Sequence, residues 1–317
     1  MAAFNPDSTY GALLVGVILS AVLFGISCTQ AYMYHARFPT DPRRLKVLVG
    51  VVWACEAAHL GLVSHTLYTW LVTDYGHPER LLGRPPVSLT GFIVLTVFVS
   101  VIVQGFFSYR IHVLSKSRVM AYLTYLITAV RLGLGLTIFA LALQADTLAA
   151  FSVQFDWLLL TMWSLTAAGD IVITLSLVYL LWVQRGKVHK ETGAFLDRII
   201  KWTIETGVAT STFTTVMLIC FHTMPHNFVW MGLFVMEARM FANSLFASLN
   251  SRTVLRDLRQ NASGSRSHSD HAMSNMTPPY PPPPFNAQGI TIAVRTDFEV
   301  EQDRDSDRGM ETKGTAW

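Results

Sequence analysis

Residues 87–114 read VSLTGFIVLTVFVSVIVQGFFSYRIHVL, an apolar run whose first charged residue is Arg110. A run of about 20 apolar residues is long enough to cross the hydrocarbon core of a bilayer as a helix. The same pattern recurs on both sides of this run, so the sequence predicts six further spans. The seven predicted spans are residues 10–35, 46–73, 87–114, 119–143, 155–183, 199–222 and 226–249.

Charged residues are scarce in the part of the chain that carries these runs. They make up 14% of the 317 residues, and 17 of the 45 lie in residues 250–317, whereas a soluble domain is about 25% charged throughout. The remaining 28 are too few to coat a large soluble globule. This distribution disfavours a soluble enzyme, a disulfide scaffold and a nucleic-acid-binding protein. It predicts an all-α polytopic membrane protein, a seven-helix bundle whose main partner is the lipid bilayer.

Basic residues in the loops predict the orientation of this bundle. The loops on one side hold 12 Lys and Arg residues, and those on the other side hold only Arg80 and Arg84. Because such residues concentrate on the cytoplasmic side, we expect residues 1–9 outside and the C-terminus in the cytoplasm, in a protein of the plasma membrane. The 12 basic residues are Arg37, Arg43, Arg44, Lys46, Arg110, Lys116, Arg118, Arg185, Lys187, Lys190, Arg198 and Lys201.

Residues 253–317 have a different composition. Their low apolar content leaves too little burial to offset chain entropy, so we expect a disordered cytoplasmic tail. The tail contains the run Pro278-Pro279-Tyr280-Pro281-Pro282-Pro283-Pro284-Phe285. Such a run favours polyproline II and is typical of segments that dock on an aromatic-lined groove of a cytosolic partner. A simple spacer is the alternative interpretation.

Eight polar residues inside the predicted spans form the candidate site. An ionisable group at membrane depth is costly and by default suggests a function. In one interpretation, ion pairs hold the bundle together; in the other, these groups line a pocket or a proton or ion path. Pairing is expected in both, because an unpaired charge is strongly disfavoured in hydrocarbon. The eight residues are Glu56, His59, Arg131, Asp170, Glu205, Glu237, Arg239 and Asn243.

The seventh predicted span carries polar residues on two faces. Arg239 and Asn243 share one face, and Glu237 lies about 200° away on a helical wheel. Either this helix is surrounded by other helices, or one face meets a partner or a water-filled cavity. Small residues four positions apart predict close helix packing; they are Gly16 with Ser20, Ala21 with Gly25, and Ala238 with Ala242.

Several chemistries lack the residues that they need. A retinal protein requires a membrane-embedded Lys for its Schiff base, and the core of no predicted span contains one. Glu56-x-x-His59 is a single Glu-x-x-His element, whereas a di-iron bundle needs two. The chain also has no P-loop, no nucleophile elbow and no dinucleotide fingerprint. The sequence therefore predicts no catalytic residue, no metal site and no cofactor; a membrane-embedded enzyme is the weakest alternative.

Three blocks of the sequence carry a family resemblance. The first block comprises residues 11–16, 30–34 and 41–42. The second comprises His59 with residues 65–68 and 74–76. The third comprises residues 168–170, 205–207, 210–211 and 243–252. The blocks resemble a large family of uncharacterised seven-span membrane proteins from fungi, expanded in mushroom-forming basidiomycetes. The resemblance covers residues 10–252 and places that family's domain of unknown function at 165–252. It implies the same topology and no particular activity.

Architecture and composition together favour a receptor-like protein. In this hypothesis, a surface sensor binds a small ligand without catalysis and signals through its inner loops and tail. The alternative is a small-molecule or proton-coupled transporter that uses Asp170, Arg131, Glu56 and Arg239. The sequence identifies neither a ligand nor a substrate.

Overall fold

The computed structural model describes residues 7–77, 80, 83–115, 118–186, 190–224 and 227–252. These residues form helices and connecting turns, with no β-strand among them. The all-α class predicted from the sequence is confirmed for this part of the chain. The predicted disordered tail, its proline-rich segment from Pro278 to Phe285, and residues 1–6 lie outside the described residues.

Eight α-helices follow one another in the described part of the chain, and seven of them are long. Each long helix overlaps one predicted span, although α7 begins at Lys190, well before the expected start at 199. The short α5 was not predicted. π-Helical turns precede α1 at Asp7–Gly11 and extend α2 at Thr69–Thr73. The helices are α1 Ala12–Arg37, α2 Arg43–Tyr68, α3 Val87–Leu114, α4 Arg118–Gln144, α5 Leu148–Gln154, α6 Asp156–Arg185, α7 Lys190–Thr223 and α8 Val229–Asn250.

Proline sets the start of two of these helices. Pro42 and Pro86 immediately precede α2 and α3, with φ angles of −59° and −63°. The proline ring fixes φ near this value and disfavours helical backbone at the residue before it, so each helix starts directly after its proline. The sequence therefore defines where both helices begin.

The distribution of polar and apolar side chains is the reverse of that in a soluble protein. On the outer face of α1, Ile18 and Val22 are 55% and 59% exposed, whereas Glu56, Arg131 and Arg239 are at most 1% exposed. Soluble proteins almost never bury charged residues fully and rarely expose long apolar faces. Apolar side chains outside and polar ones inside are what a bilayer requires, since lipid tails solvate the outer face.

Six helical segments are long and apolar enough to cross a membrane, which indicates an integral membrane protein. α8 is not among them, because Glu237, Arg239 and Asn243 lower its mean hydropathy. These three residues do not face lipid, however, since α8 packs against α1, α2, α3 and α7. The six segments are Asp7–Arg37, Arg43–Thr73, Val87–Leu114, Arg118–Gln144, Asp156–Arg185 and Leu196–Thr223.

The surrounded position of α8 accounts for its two polar faces, because each of them meets other helices. Its closest approach to α1 is at two glycines: a Cβ atom on Gly16 would lie 2.6 Å from the Cα atom of Gly232. The predicted close packing at Gly25 is wrong. No atom lies within 4 Å of a Cβ atom placed there, because this residue is on the exposed, apolar side of α1.

Candidate functional site

Arg239 and Glu56 form a fully buried ion pair between α8 and α2. The Nη1 atom of Arg239 donates to Glu56 Oε2 at 2.5 Å and to the backbone oxygen of the same residue at 2.8 Å. Neither side chain has any exposed surface. The pair neutralises two charges at membrane depth and ties the centre of the bundle to α2.

His59 extends this network to α3. Its Nδ1 atom lies 3.2 Å from Arg239 Nη2, and its Nε2 atom lies 3.0 Å from Thr96 Oγ1. Because a guanidinium can only donate, Nδ1 must accept, and the ring proton of the neutral imidazole is on Nε2. The hydroxyl of Thr96 in turn donates to the backbone oxygen of Phe92 at 3.0 Å. His59 thus orients the cation and carries no charge of its own.

α1 completes the surroundings of the guanidinium. The Nε atom of Arg239 donates to Ser20 Oγ at 3.0 Å, and its Cζ atom lies 5.1 Å from the ring centroid of Phe24. Asn243, one turn along α8, donates to the backbone oxygens of Leu23 and Arg239 at 3.2 and 2.9 Å. All three nitrogens of the guanidinium therefore have partners, whereas Glu56 Oε1 and Asn243 Oδ1 lack a hydrogen-bond partner.

A second buried ion pair joins α4 to α8. Arg131 Nη2 donates to Glu237 Oε1 at 3.0 Å, and the two side chains are 1% and 2% exposed. The Cζ atom of Arg131 also lies 5.0 Å from the ring centroid of Phe241. Unlike Arg239, this arginine has two nitrogens, Nε and Nη1, without a hydrogen-bond partner. The second network is therefore less completely satisfied than the first.

Asp170 of α6 lies near this pair but bonds to a different residue. Gln104 Nε2 donates to Asp170 Oδ1 at 2.8 Å, and Arg131 is close enough to act on the carboxylate electrostatically. Thr210 is a further neighbour of the carboxylate, but its hydroxyl donates to the Gly207 backbone oxygen at 3.2 Å. The Oδ2 atom of Asp170 is left without a hydrogen-bond donor.

Two small cavities flank the second network. One, of about 40 Å³, is lined by Arg131 and Glu237 together with apolar and aromatic residues such as Trp163 and Trp230. The other, of about 30 Å³, is lined by Asp170, by hydroxyl and amide side chains and by apolar residues such as Phe107 and Phe241. Because a water molecule needs at least about 10–15 Å³ of such volume, each cavity is large enough for one or two waters. Neither is large enough for an organic ligand.

A much larger pocket, of about 370 Å³, lies where α1, α3, α7 and α8 come together. It is at the end of the bundle that holds the basic loop residues. Two arginines, Arg37 and Arg110, line it, and the Nη1 atom of Arg110 donates to Ser248 Oγ at 3.0 Å. The rest of the lining mixes apolar and polar side chains, among them Met33, Phe107, Ile199, Trp202, Thr206 and Ser251.

Glu205 lies apart from the other seven candidate residues. Its side chain is 55% exposed, and its Oε1 atom is 3.8 Å from Lys201 Nζ on the preceding turn of α7. It lines the large pocket and not the buried networks. The structure thus brings Glu56, His59, Arg239 and Asn243 into one network, and Arg131, Glu237 and Asp170 into another.

Neutral residues complete both networks, and they are not among the site residues predicted from the sequence. Ser20, Thr96 and Gln104 are 0%, 2% and 1% exposed, and each bonds a candidate residue. Gln104 is the one polar amide within the apolar run of α3, which is a signal the sequence offers. Ser and Thr are common in membrane helices, so the sequence gives no signal for Ser20 or Thr96. Only their contacts show that they belong to the networks.

One ion pair outside the spans links the first loop to the end of α8. Arg252 Nη2 is 2.6 Å from Asp41 Oδ2, which also accepts a hydrogen bond from the Tyr34 hydroxyl at 2.9 Å. Partial burial acts to raise the pKa of Asp41, but the hydrogen bonds from Arg252 and Tyr34 outweigh it and hold the pKa below its ordinary value of 3.8. Asp41 is therefore ionised at neutral pH and anchors Arg252.

Residues 166–254 are similar to a family of unknown function, DUF6534. This confirms the expected domain of unknown function in the C-terminal part of the bundle. The matched region contains Asp170, Glu205, Glu237, Arg239 and Asn243, whereas their partners Glu56, His59 and Arg131 lie outside it. No curated protein and no solved structure matches the chain. In the part of the chain that the structure describes, no group of three or more His, Cys, Asp or Glu is placed to hold a metal ion.

Proposed function

We propose that the protein is a receptor-like integral membrane protein with seven spans, of which α8 is the seventh, and that it binds a small ligand without catalysis. The observation that carries this proposal is the pocket of about 370 Å³ between α1, α3, α7 and α8. Small-molecule sites are typically about 300–1,000 Å³. The charges of α8 are compatible with its being the seventh span, because ion pairing inside the bundle removes most of the free-energy cost of placing them at membrane depth.

The lining of the pocket suits an amphipathic anion. Arg37 and Arg110 supply positive charge and outnumber the one acidic residue of the lining, Glu205, and guanidinium groups bind carboxylates and phosphates with two parallel hydrogen bonds. Phe107 and Ile199 supply apolar surface for a hydrocarbon or aromatic body. In the predicted orientation this end faces the cytoplasm, so the ligand would enter from the cytoplasm or the inner leaflet.

The pocket lies next to the residues at which the tail begins. Ser251 lines the pocket, and the next residue, Arg252, is ion-paired with Asp41 of the first loop. Occupancy of the pocket can therefore alter the junction at which the tail begins. This is the arrangement that a sensor with a regulatory tail requires.

A fluorescent fatty acid, 11-dansylundecanoic acid, tests the proposal with the purified full-length protein in nanodiscs. We expect saturable binding that Ala247→Trp abolishes, because this residue lines the pocket and the indole fills it. Arg37→Gln should weaken binding by about tenfold, the loss expected for one charged hydrogen bond. The methyl ester of the probe should bind weakly to every variant.

Arg44→Gln is the matched control for Arg37→Gln, since Arg44 is an exposed arginine in the first turn of α2, just across the connection from Arg37, and does not line the pocket. It should bind the probe as the unaltered protein does. Absence of saturable binding, or equal binding by Ala247→Trp, would contradict the proposal.

A transporter is the second candidate, and one observation favours it. Phe107, Thr203 and Thr206 line both the large pocket and the cavity at Asp170, so a partly polar route leads inward from the basic end. Proton uptake into pyranine-loaded proteoliposomes under an imposed pH gradient tests this function. Transport through the bundle requires that Asp170→Asn abolishes the flux while the variant still reconstitutes; a variant that only loses folded yield indicates a structural role.

A further inference from the structure

The cavity of about 30 Å³ at Asp170 is lined by both polar and apolar side chains, the apolar ones being Phe107, Ile173, Leu177 and Phe241. It lies between α3, α6, α7 and α8, and each of these helices contributes to its lining. An occupant that pairs with the unpaired polar atoms of this lining would be favourable, since unpaired buried polar groups are costly. Its main polar residues are Gln104, Asp170, Thr203, Thr206, Thr210 and Ser244.

The amide and the carboxylate present acceptor atoms to the cavity. The Nε2 atom of Gln104 is used in its bond to Asp170 Oδ1, so the amide oxygen Oε1 is turned away from that bond. This Oε1 atom and Asp170 Oδ2 both lack a hydrogen-bond partner. The side chains of Gln104 and Asp170 are only 1% and 6% exposed, so bulk water does not supply the missing hydrogen bonds.

The threonines of α7 add further acceptors. Thr203 and Thr206 donate their hydroxyl hydrogens to backbone oxygens of the preceding turn at 2.8 and 2.9 Å, whereas the Thr210 hydroxyl is also a hydrogen-bonding neighbour of the Asp170 carboxylate. A hydroxyl that has used its hydrogen retains its lone pairs. The oxygens gathered around this cavity are therefore mainly acceptors, and they match a cation or a strong donor.

With both carboxyl groups ionised, the charges of the second network favour a monovalent cation. Arg131 contributes one positive charge, and Glu237 and Asp170 contribute one negative charge each when both are ionised. The sum is one buried negative charge, which a single monovalent cation neutralises. A divalent cation would leave one positive charge in its place, with a similar desolvation cost.

We infer that this cavity is a binding site for one small monovalent cation such as Na⁺. Carboxylate, amide and hydroxyl oxygens are the ligands that hard cations prefer, and the volume accommodates such an ion with a water molecule. Asp170 supplies the charge, and Gln104 with the α7 threonines supplies neutral oxygens. The cation enters from the large pocket, with which the cavity shares Thr203 and Thr206.

Equilibrium binding of ²²Na⁺ to the purified protein in nanodiscs tests the site. At constant ionic strength we expect saturable binding at one site per chain, displaced by unlabelled NaCl and not by choline chloride, because choline is too large for the cavity. Asp170→Asn should abolish this binding. Thr206→Val keeps the volume and removes one oxygen, and should weaken binding by about tenfold or more.

Asp74→Asn is the control carboxylate, since Asp74 forms its ion pair with the exposed Arg80 outside the spans; its Na⁺ affinity should be unchanged. Unaltered protein without saturable binding would overturn the inference, as would Thr206→Val binding Na⁺ with unchanged affinity. If Asp170→Asn does not fold, the Na⁺ affinity of Thr206→Val is the measurement that tests the inference. Binding of the dansyl probe in the same preparations is a separate readout, so failure of the cation site is distinguishable from failure of the ligand pocket.

Discussion

Arg239 of α8 and Glu56 of α2 meet at 2.5 Å with no exposed surface on either side chain. The same guanidinium bonds the backbone oxygen of Glu56, the hydroxyl of Ser20 and the ring of His59. One cation therefore connects α8 to α1 and α2. The hydrogen bonds that surround the pair offset the desolvation of both charges, which a bare pair could not do.

Removing one partner of this pair should destabilise the bundle strongly. In Arg239→Met the carboxylate of Glu56 stays buried without its cation, and we expect a loss of about 3–5 kcal/mol in the free energy of unfolding. Unfolding in mixed micelles, followed by circular dichroism, measures this loss. Adding Glu56→Leu to Arg239→Met should restore part of it, because the second substitution removes the uncompensated charge.

The exposed pair of Arg80 and Asp74 is the control for that experiment. Its N–O distance is 2.8 Å, but the arginine side chain is 58% exposed, so Arg80→Met should cost less than about 1 kcal/mol. A similar cost for Arg80→Met and Arg239→Met would contradict the structural role given to the buried pair.

Gly16 should tolerate no larger residue, in contrast to Gly25 on the same helix. A Cβ atom on Gly16 would lie 2.6 and 2.8 Å from backbone atoms of Gly232, which cannot move without shifting α8. We expect Gly16→Ala to cost about 1–3 kcal/mol, the usual range for overpacking. Gly25→Ala meets no atom within 4 Å and should be neutral or slightly stabilising, since Ala is the better helix former. Thermal unfolding of both variants provides the comparison, and equal losses would refute the close approach of α1 and α8.

The ion pair between Asp41 and Arg252 should make stability depend on acid pH. The pKa of Asp41 is lower in the folded protein than in the unfolded chain, so its contribution is complete above the ordinary value of 3.8 and is lost as pH falls through the folded pKa. The contribution should be below about 1 kcal/mol, because Arg252 is partly exposed. The unfolding midpoint of Asp41→Asn should therefore fall less between pH 6 and pH 3 than that of the unaltered protein.

Asp197→Asn is the matched control, since Asp197 forms a 2.6 Å pair with Arg185 in which both side chains are about half exposed. Its acid dependence should resemble that of the unaltered protein. If Asp41→Asn shows the same acid dependence as Asp197→Asn, Asp41 does not anchor Arg252 in the way described.

The positions of most long helices follow from the sequence because apolar length largely determines them, whereas the early start of α7 at Lys190 and the short α5 do not. α3 spans Val87–Leu114, the same residues as the apolar run, since Pro86 begins the helix and the polar loop after Leu114 ends it. α8 shows the limit of that argument. Its charges lower its hydropathy below that of the other long helices, and only its neighbours α1, α2, α3 and α7 explain how such a helix is accommodated.

The pairing of the buried charges could not be predicted in the same way. Glu56 and His59 are three residues apart, and this spacing places them on one helical face, where both contact Arg239. Nothing in the sequence distinguishes Glu237 from Asp170 as the partner of Arg131, because the choice depends on the rotation of α4 and α8. Gln104 bonds one oxygen of Asp170, and such neutral partners have no charge pattern to reveal them.

The segments Asn261-Ala262-Ser263 and Asn275-Met276-Thr277 match the N-glycosylation sequon, and they provide a test of orientation because glycans are added only on the lumenal side. The 12 basic residues on one side against two on the other predict a cytoplasmic tail, so both asparagines should remain unmodified in a glycosylating eukaryotic host. We expect no mobility shift after treatment with an N-glycosidase. An added N-terminal extension that carries one sequon should be glycosylated in the same cells, which shows that the host modifies this chain where it is accessible. A glycosylated tail with an unmodified extension would invert the topology, and the pocket of about 370 Å³ would then face the outside, where it would take its ligand from the medium.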